Sequence, residues 1–199
     1  YEGQMVVHDL NFEINQGDYL CIVGENGSGK STLSSIISGV YPQSEGELTL
    51  DGKPYKPADT LDAQNHGISM IAQEMGTLPG IKVADNLFIG KEQLFTKHGV
   101  VDRKKMYQEA RKALEKIGID NIHPEDPIIK YSLEERKLIE VVRALYTNPR
   151  IFIVDETTTA LSQRGRDIIY QVIKNMKKEN KTVLFISHDL EELMEVCSK

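Results

Sequence analysis

The sequence has no tryptophan, only two cysteines among its 199 residues, and no long apolar run. Cys21 and Cys197 have neither metal-ligand nor redox spacing, which favours a reduced compartment with both cysteines as packing residues. Because a basic-then-apolar start and a span-length apolar segment are both missing, we expect any membrane association to be peripheral. Acidic residues outnumber basic ones by 30 to 24, and the net charge of −6 disfavours a general nucleic-acid surface.

A glycine-rich phosphate-binding loop follows an early apolar run and precedes a helix-like segment. The loop reads Gly24, Glu25, Asn26, Gly27, Ser28, Gly29, Lys30, Ser31 and Thr32. Its glycines permit the backbone angles that aim several amide groups at a polyphosphate, and the helix that follows points its positive end there. Lys30 would sit between the β- and γ-phosphates, and the Ser31 hydroxyl would ligate Mg²⁺. The loop predicts a bound nucleoside triphosphate.

Two adjacent carboxylates, Asp155 and Glu156, end the apolar segment 151–154. In a parallel sheet the carboxyl ends of the strands form the ligand crevice, so we expect Asp155 beside the phosphate loop, orienting the Mg²⁺ shell. Glu156 could hold or deprotonate the water that attacks the γ-phosphate. A kinase-like enzyme would instead need a docking site for an acceptor hydroxyl. The pair therefore favours hydrolysis.

A histidine follows the last apolar segment, 182–186. His188 at the carboxyl end of a strand can donate to a phosphate oxygen or fix the attacking water. The chain has four other histidines outside any motif, so position alone singles out this one. We interpret His188 as a sensor of the γ-phosphate.

The order of apolar and amphipathic segments predicts an α/β fold with a parallel sheet. Buried strands are predicted at 19–23, 68–72, 151–154 and 182–186. The clearest helix covers 102–118, with Asp102 as its N-cap and Gly118 as its stop signal. A second helix is predicted further on, with an apolar stripe formed by Leu138, Val141, Val142 and Leu145. The helices around 102–145 predict a helical insertion.

Together these motifs resemble the nucleotide-binding domain of ABC transporters over nearly the whole chain. The resemblance implies one ABC ATPase domain at 1–199, with the P-loop NTPase fold. That fold has a mostly parallel sheet core, a small antiparallel β part and an inserted α-helical subdomain, here at about 74–147. Tyr1 is similar to the aromatic residue that stacks on adenine. Since the chain begins there and stops just after the last motif, we expect a domain trimmed at both ends.

The resemblance also assigns cofactors and catalytic residues. ATP and Mg²⁺ are the implied cofactors, and Ser31, Gln73 and Asp155 would ligate the metal. Glu156 becomes the catalytic base and His188 the switch histidine. Gln73 would link the metal and the attacking water to a transmembrane partner. The implied reaction is hydrolysis of ATP to ADP and phosphate, coupled to transport.

Two further stretches, 67–74 and 83–92, are similar to the first ATPase domain of bacterial monosaccharide importers of the ribose and galactose type. This resemblance implies a peripheral protein on the cytoplasmic face of the membrane that energises sugar import. Its partners would be a transmembrane permease subunit and a second ATP-binding domain, in a head-to-tail dimer and on the same polypeptide. A periplasmic or extracellular sugar-binding protein would act indirectly, and no nucleic acid is expected.

The chain departs from the family at its signature motif, Leu-Ser-Gly-Gly-Gln, which aligns with residues 131–135. Glu134 occupies a position that normally requires glycine, and its carboxylate would repel a phosphate. Ser132 and Glu135 have the spacing of a capping box, which would satisfy the helix amides internally. We therefore predict an asymmetric pair of sites, in which the site that uses this signature helix is weak or silent.

Two more departures lie after the acidic pair. Thr157 stands where the family usually has proline, and Ser162 where it usually has an aspartate that helps to align the two sites. Losing that charged contact makes coupled hydrolysis less certain than nucleotide binding. Neutral drift explains both changes equally well.

Other functions remain open at this point. A nucleoside importer ATPase would have a similar sequence, because related fused importers carry nucleosides. A soluble, non-transport ABC ATPase that acts as a clamp on ribosomes or DNA is disfavoured by the acidic charge balance. A P-loop kinase or GTPase would need an acceptor-site or guanine-specificity segment, and we find neither in the sequence.

Overall fold

The computed structural model describes residues 6–189, Glu192 and Met194. The chain forms two compact units. The first unit comprises the described residues up to Ile71, then Asn148–Glu156 and the described residues from Ile173 onward. The second unit comprises Ala72–Thr147 and Thr157–Val172, and the predicted insertion, 74–147, falls inside its first segment.

The described helices and strands alternate along the chain. The helices are α1 (Lys30–Ile37), α2 (Thr60–Asn65), α3 (Val83–Leu87), α4 (Arg103–Lys116), α5 (Leu133–Tyr146) and α6 (Gln163–Lys178). The strands are β1 (Tyr19–Ile22), β2 (Thr49–Leu50), β3 (Lys53–Pro54), β4 (Ile68–Ile71), β5 (Thr96–Lys97), β6 (Val100–Val101), β7 (Ile151–Asp155) and β8 (Thr182–Ile186). The four predicted strands are confirmed as β1, β4, β7 and β8.

A four-stranded parallel sheet forms the centre of the first unit, in the order β1-β8-β7-β4 among the described residues. Its strands are rich in β-branched and other apolar residues because both faces of a parallel sheet are covered. Ile153, Leu184 and Ile186 are buried in its core. The register pairs Ile22 and Asp155 with Ile186, so β1, β7 and β8 end at one level of the sheet. This edge is where ligands bind in open α/β sheets.

Two short antiparallel pairs accompany the sheet, which confirms the predicted small antiparallel part. β2 pairs with β3 in the first unit, and β5 pairs with β6 in the second. The turn of the first pair places Asp51 and Gly52 at positive φ, as a tight two-residue hairpin requires.

The second unit is built on α3, α4 and α5. Its core contains Phe88, Met106, Leu114, Ile122 and Ile128, each with no exposed surface. The predicted helix is confirmed as α4, whose Asp102 carboxylate accepts a hydrogen bond from the Lys105 amide at 3.0 Å. Gly118 follows the helix at φ 81°, where glycine costs least. Cap and stop signals therefore place this helix to within two residues.

Cys21 lies on β1 and is partly buried. Cys197 lies outside the described residues.

Among the residues that the structure describes, no helix combines the length and the apolarity needed to cross a bilayer.

Candidate functional site

The glycine-rich loop forms the turn between β1 and α1. Gly27 and Gly29 have φ angles of 84° and 92°, in the left-handed region that L side chains rarely adopt. Gly29 is also the N-cap of α1, and a Cβ added there would lie 3.1 Å from the Val6 carbonyl oxygen. A Cβ on Gly24 would lie 2.7 Å from the Ser28 hydroxyl oxygen. The loop backbone therefore keeps its path only with these small residues.

Lys30 begins α1 and folds its side chain back over the loop. Its amine donates to the carbonyl oxygens of Gly24 at 2.7 Å and Glu25 at 2.9 Å. The same amine lies 3.7 Å from the Glu156 carboxylate, and both side chains are less than a tenth exposed. A buried positive charge at a helix N-terminus provides strong attraction for a phosphate group.

A buried carboxylate at the end of β7 is held by two hydroxyl groups of α1. Asp155 accepts hydrogen bonds from Ser31 at 3.1 Å and from Ser34 at 3.0 Å, and only 2% of its surface is exposed. Burial raises the pKa of Asp155, while the two hydroxyl donors oppose that rise. Sequence reasoning missed Ser34. Its polar side chain three residues after Ser31, on the same helix face, was the available signal.

The chemistry of this pair fits Mg²⁺. The ion prefers oxygen ligands and is commonly held by one or two carboxylates together with substrate phosphates and water. Asp155 and the Ser31 hydroxyl offer such oxygens next to the phosphate loop. Among the described residues, no group of three or more His, Cys, Asp and Glu residues could hold a metal alone. The donor set is therefore one that a phosphate-bound cation would complete.

Glu156 turns its backbone sharply at the end of β7. Its φ of 43° is unusual for a residue with a side chain, and its amide donates to the Ile186 carbonyl oxygen at 3.0 Å. The carboxylate is 7% exposed and lies 3.5 Å from the His188 ring nitrogen Nδ1. Lys30 and His188 therefore flank Glu156 on two sides. Strained backbone of this kind concentrates at functional sites.

A cavity of about 440 Å³ opens beside these groups. It is lined by Val23, Gly24, Glu25, Asn26 and His188. The loop and the histidine, which are far apart in sequence, therefore face one space. Thr32 follows Ser31 on α1 and is partly buried.

The remaining predicted site residues lie elsewhere in the chain. Gln73 belongs to the second unit, is exposed, and follows β4 by two residues. Tyr1 lies outside the described residues. The first unit thus brings together Lys30, Ser31 and the acidic pair with His188.

The capping box predicted at the start of α5 is confirmed. The Ser132 hydroxyl accepts a hydrogen bond from the Glu135 amide at 3.3 Å, and the Glu135 carboxylate accepts one from the Ser132 amide at 2.9 Å. The same carboxylate accepts another hydrogen bond from Asn121 at 2.9 Å. Two helix-terminal amides are therefore satisfied within the chain.

Glu134 has a partner that sequence reasoning did not predict. Its carboxylate accepts a hydrogen bond of 2.5 Å from the Ser162 hydroxyl. The Ser162 hydroxyl also accepts one from the Gly165 amide at 3.3 Å. A Cβ on Gly165 would come within 2.6 Å of the Glu134 carboxylate. The departures at 134 and 162 are thus in direct contact, while Thr157, the third departure, is buried.

A glycine loop between a strand and a helix, with a buried acid at the end of another strand of the same parallel sheet, defines the P-loop NTPase class. Residues 7–159 match the ABC transporter family. The chain belongs to this family, as one of its ATP-binding domains.

Similar curated proteins are import ATPases of bacteria. The chain is 37% identical over 194 residues to the ribose import ATP-binding protein RbsA of Caldanaerobacter subterraneus, covering 96% of this chain and 38% of that protein. It is 36% identical over 197 residues to the arabinose import ATP-binding protein AraG of Vibrio parahaemolyticus, covering 99% of this chain and 38% of that protein. The chain therefore spans about two fifths of the length of these relatives.

Solved structures of the family have the same fold. A nucleotide-free ATP-binding cassette from an ABC transporter superposes with a TM-score of 0.75 at 26% identity, covering 92% of this chain and 75% of that one. An ATP-binding cassette in its ADP conformation superposes with a TM-score of 0.73, also at 26% identity and with the same coverage. The predicted P-loop NTPase fold is confirmed.

Proposed function

We propose that this chain binds and hydrolyses ATP to energise the import of a monosaccharide through an ABC transporter. The observation that carries the proposal is the convergence of Lys30, Glu156 and His188 beside the glycine loop. The sugar-import names of its relatives support the cargo class. The sugar itself would not contact this domain.

ATP would bind along the loop from Gly24 to Thr32. Its phosphates would replace the carbonyl oxygens of Gly24 and Glu25 as partners of the Lys30 amine. The amides at the start of α1 would face the same phosphate oxygens. Tyr1 would stack on the adenine ring.

Ser31, Asp155 and Gln73 would hold Mg²⁺, which supplies positive charge to the triphosphate when it is bound. Asp155 already lies within hydrogen-bonding distance of Ser31, so these two ligands are positioned before the ion enters. Hydrogen bonds from Ser31 and Ser34 favour the ionised carboxylate that a cation requires.

Glu156 would act as the general base of hydrolysis. Its carboxylate would take a proton from the water that attacks the γ-phosphate, and the Lys30 amine lies 3.7 Å from it. His188 would orient that water or contact the γ-phosphate. Because His188 is about half exposed and Glu156 is buried, the histidine is the more able of the two to respond to nucleotide.

The proposed partners follow from the length of the relatives and from the family. A second ATP-binding domain on the same full-length polypeptide would pair head-to-tail with this one. A transmembrane permease subunit would receive the motion through the surface 73–92, and a sugar-binding protein outside the membrane would deliver cargo. The domain would lie on the cytoplasmic face.

The degenerate signature makes the two ATP sites unequal. The amides at the start of α5 are engaged by the capping box, and Glu134 adds negative charge where a partner's γ-phosphate would approach. The site that uses this P-loop would hydrolyse ATP, and the site that uses this signature helix would be silent. Replacing Glu134 by Gly and Glu135 by Gln in the full-length transporter should then leave ATP turnover unchanged or raise it, whereas a large loss would refute the silent site.

The decisive experiment is Glu156→Gln in the full-length protein assembled in its transporter. We expect ATP binding to persist while turnover falls by about 10²–10⁴-fold, since the amide cannot accept the proton. Glu179→Gln is the matched control, because that side chain is more than half exposed and remote from the loop in sequence. Undiminished hydrolysis in Glu156→Gln would remove Glu156 as the base.

Three outcomes would redirect the proposal. Tighter binding of GTP than of ATP would favour a GTPase. Vesicle uptake of labelled nucleosides but not of pentoses or hexoses would change the cargo class. Co-purification with nucleic acid would favour a soluble, non-transport ATPase.

A further inference from the structure

Helix α5 carries a lysine and a glutamate in its buried interior. Lys137 and Glu140 are 2% and 4% exposed, and their side chains form an ion pair of 2.8 Å between Nζ and Oε2. A buried lysine is costly unless its three donors find acceptors. The further acceptors of this amine therefore indicate what the pair is for.

Those acceptors are backbone carbonyl oxygens of one short segment, 72–76. The Lys137 amine donates to Ala72 at 2.9 Å and to Glu74 at 2.8 Å, with a longer contact of 3.4 Å to Gln73. The segment forms neither helix nor strand, so its own backbone ladder does not define its path. One buried ammonium group thus holds the carbonyl groups of Ala72 and Glu74, on either side of Gln73.

Two other side chains of α5 hold the far end of the segment. The second oxygen of Glu140 accepts a hydrogen bond of 2.5 Å from the Gly76 amide, and the Arg143 guanidinium donates to the Gly76 carbonyl at 3.1 Å. A Cβ on Gly76 would lie 3.0 Å from Arg143, so glycine permits this close approach. Burial lowers the pKa of Arg143, and the charge of Glu140 opposes that shift.

We propose that Lys137 and Glu140 are positioning residues that hold the backbone of segment 72–76 and thereby set the place of Gln73 during ATP hydrolysis. The inference rests on the catalytic role of Gln73 under the proposed function. The same helix, α5, begins at the degenerate signature. About one turn further on, its Lys137 holds the backbone around Gln73. A catalytic side chain on an exposed loop needs such support, since a displacement of about 1 Å can cost roughly a hundredfold in rate.

The test uses the full-length protein in its assembled transporter, with K137M, the paired variant K137M/E140L, Q73A and the triple variant K137M/E140L/Q73A. The paired variant removes both charges together, so no unpaired carboxylate remains buried. Hydrogen–deuterium exchange of the peptide covering 72–80 reports directly whether Lys137 and Glu140 restrain the segment 72–76. Steady-state kinetics give kcat and the KM for ATP separately.

We expect exchange at 72–76 to rise in K137M and in the paired variant. The kcat should fall by about tenfold or more while the KM for ATP stays nearly constant, since an interaction needed only for turnover is lost. The triple variant should be no slower than Q73A, because residues that act through one group are not additive. K112M is the matched control: its Lys112–Glu109 pair has the same three-residue spacing but is exposed, and it should change none of these readouts.

Unchanged hydrogen–deuterium exchange at 72–76 in K137M and in the paired variant would show that Lys137 and Glu140 do not hold this segment. Increased exchange with wild-type kcat, or a loss that adds to that of Q73A, would overturn the positioning of Gln73. Wild-type turnover in Q73A would refute the catalytic role proposed for Gln73, and exchange would then decide alone whether Lys137 and Glu140 hold the segment.

Discussion

The Asp155 carboxylate is buried and accepts hydrogen bonds from two hydroxyl groups. Burial disfavours its charged form, and the hydroxyl groups of Ser31 and Ser34 restore part of that stability through hydrogen bonds. Ser31 is exposed at the start of α1, whereas Ser34 is fully buried one turn later. Ser34 therefore belongs to the support of the site, while Ser31 can also reach a ligand.

We predict that Ser34→Ala destabilises the protein by about 1–3 kcal/mol, because it removes a hydroxyl that donates to a buried carboxylate. Urea unfolding without nucleotide measures the change. Ser35→Ala, at the next and less buried helix position, controls for the gain in helix propensity. Equal stabilities of the two variants would show that the Ser34 hydroxyl contributes nothing to holding Asp155.

At the scale of elements, α4 and α5 both begin with a side-chain N-cap. Asp102 caps α4 and Ser132 caps α5, each by accepting a hydrogen bond from an amide three residues on. The signature motif is proposed to lie at the start of α5, where the cap would keep two amides from a phosphate. The two caps therefore form a matched pair for experiment.

Ser132→Ala and Asp102→Ala should each lower stability by about 1 kcal/mol, the usual cost of a lost N-cap. Thermal unfolding measures both changes. If the signature helix is silent, neither substitution should alter ATP turnover of the full-length transporter. A selective loss of turnover in Ser132→Ala would show that this serine contacts nucleotide across a dimer.

At the scale of the whole molecule, nucleotide binding is linked to stability. A ligand that binds only the folded state stabilises it by about 2.7 kcal/mol at one hundred times its Kd. For a protein of this size we expect Mg-ATP to raise Tm by roughly 5–10 °C at that concentration. Lys30→Ala should abolish the shift in a thermal scan, and Lys53→Ala, an exposed lysine on β3, should preserve it. A full shift in Lys30→Ala would contradict the assigned phosphate contact.

The length of the relatives leads to a prediction about the complete polypeptide. Because this chain covers about two fifths of each, we expect the native coding sequence to encode a second ATPase half with an impaired P-loop and an intact signature motif. Reading the gene on both sides of the present sequence tests this. A second half with an intact P-loop and a degenerate signature would contradict the proposal that one site hydrolyses ATP and the other is silent.

The sequence alone determined the sheet strands, the phosphate loop, the helix caps and the acidic pair. Each of these features is encoded by a short run of consecutive residues. Such a run either provides its own backbone hydrogen bonds or ends a strand at the carboxyl edge of the sheet. The capping box of Ser132 and Glu135 was predictable for this reason, since both partners lie within one helical turn. The family resemblance followed from the same local runs.

Only the tertiary structure decided which distant residues meet. It placed β8 between β1 and β7, which brings His188 to Glu156, and it paired Glu134 with Ser162. It also buried Lys137 and Glu140, although the apolar stripe of α5 predicts polar residues in solvent. Such contacts depend on chain packing, and a buried charge is retained where the fold supplies partners that no local pattern encodes.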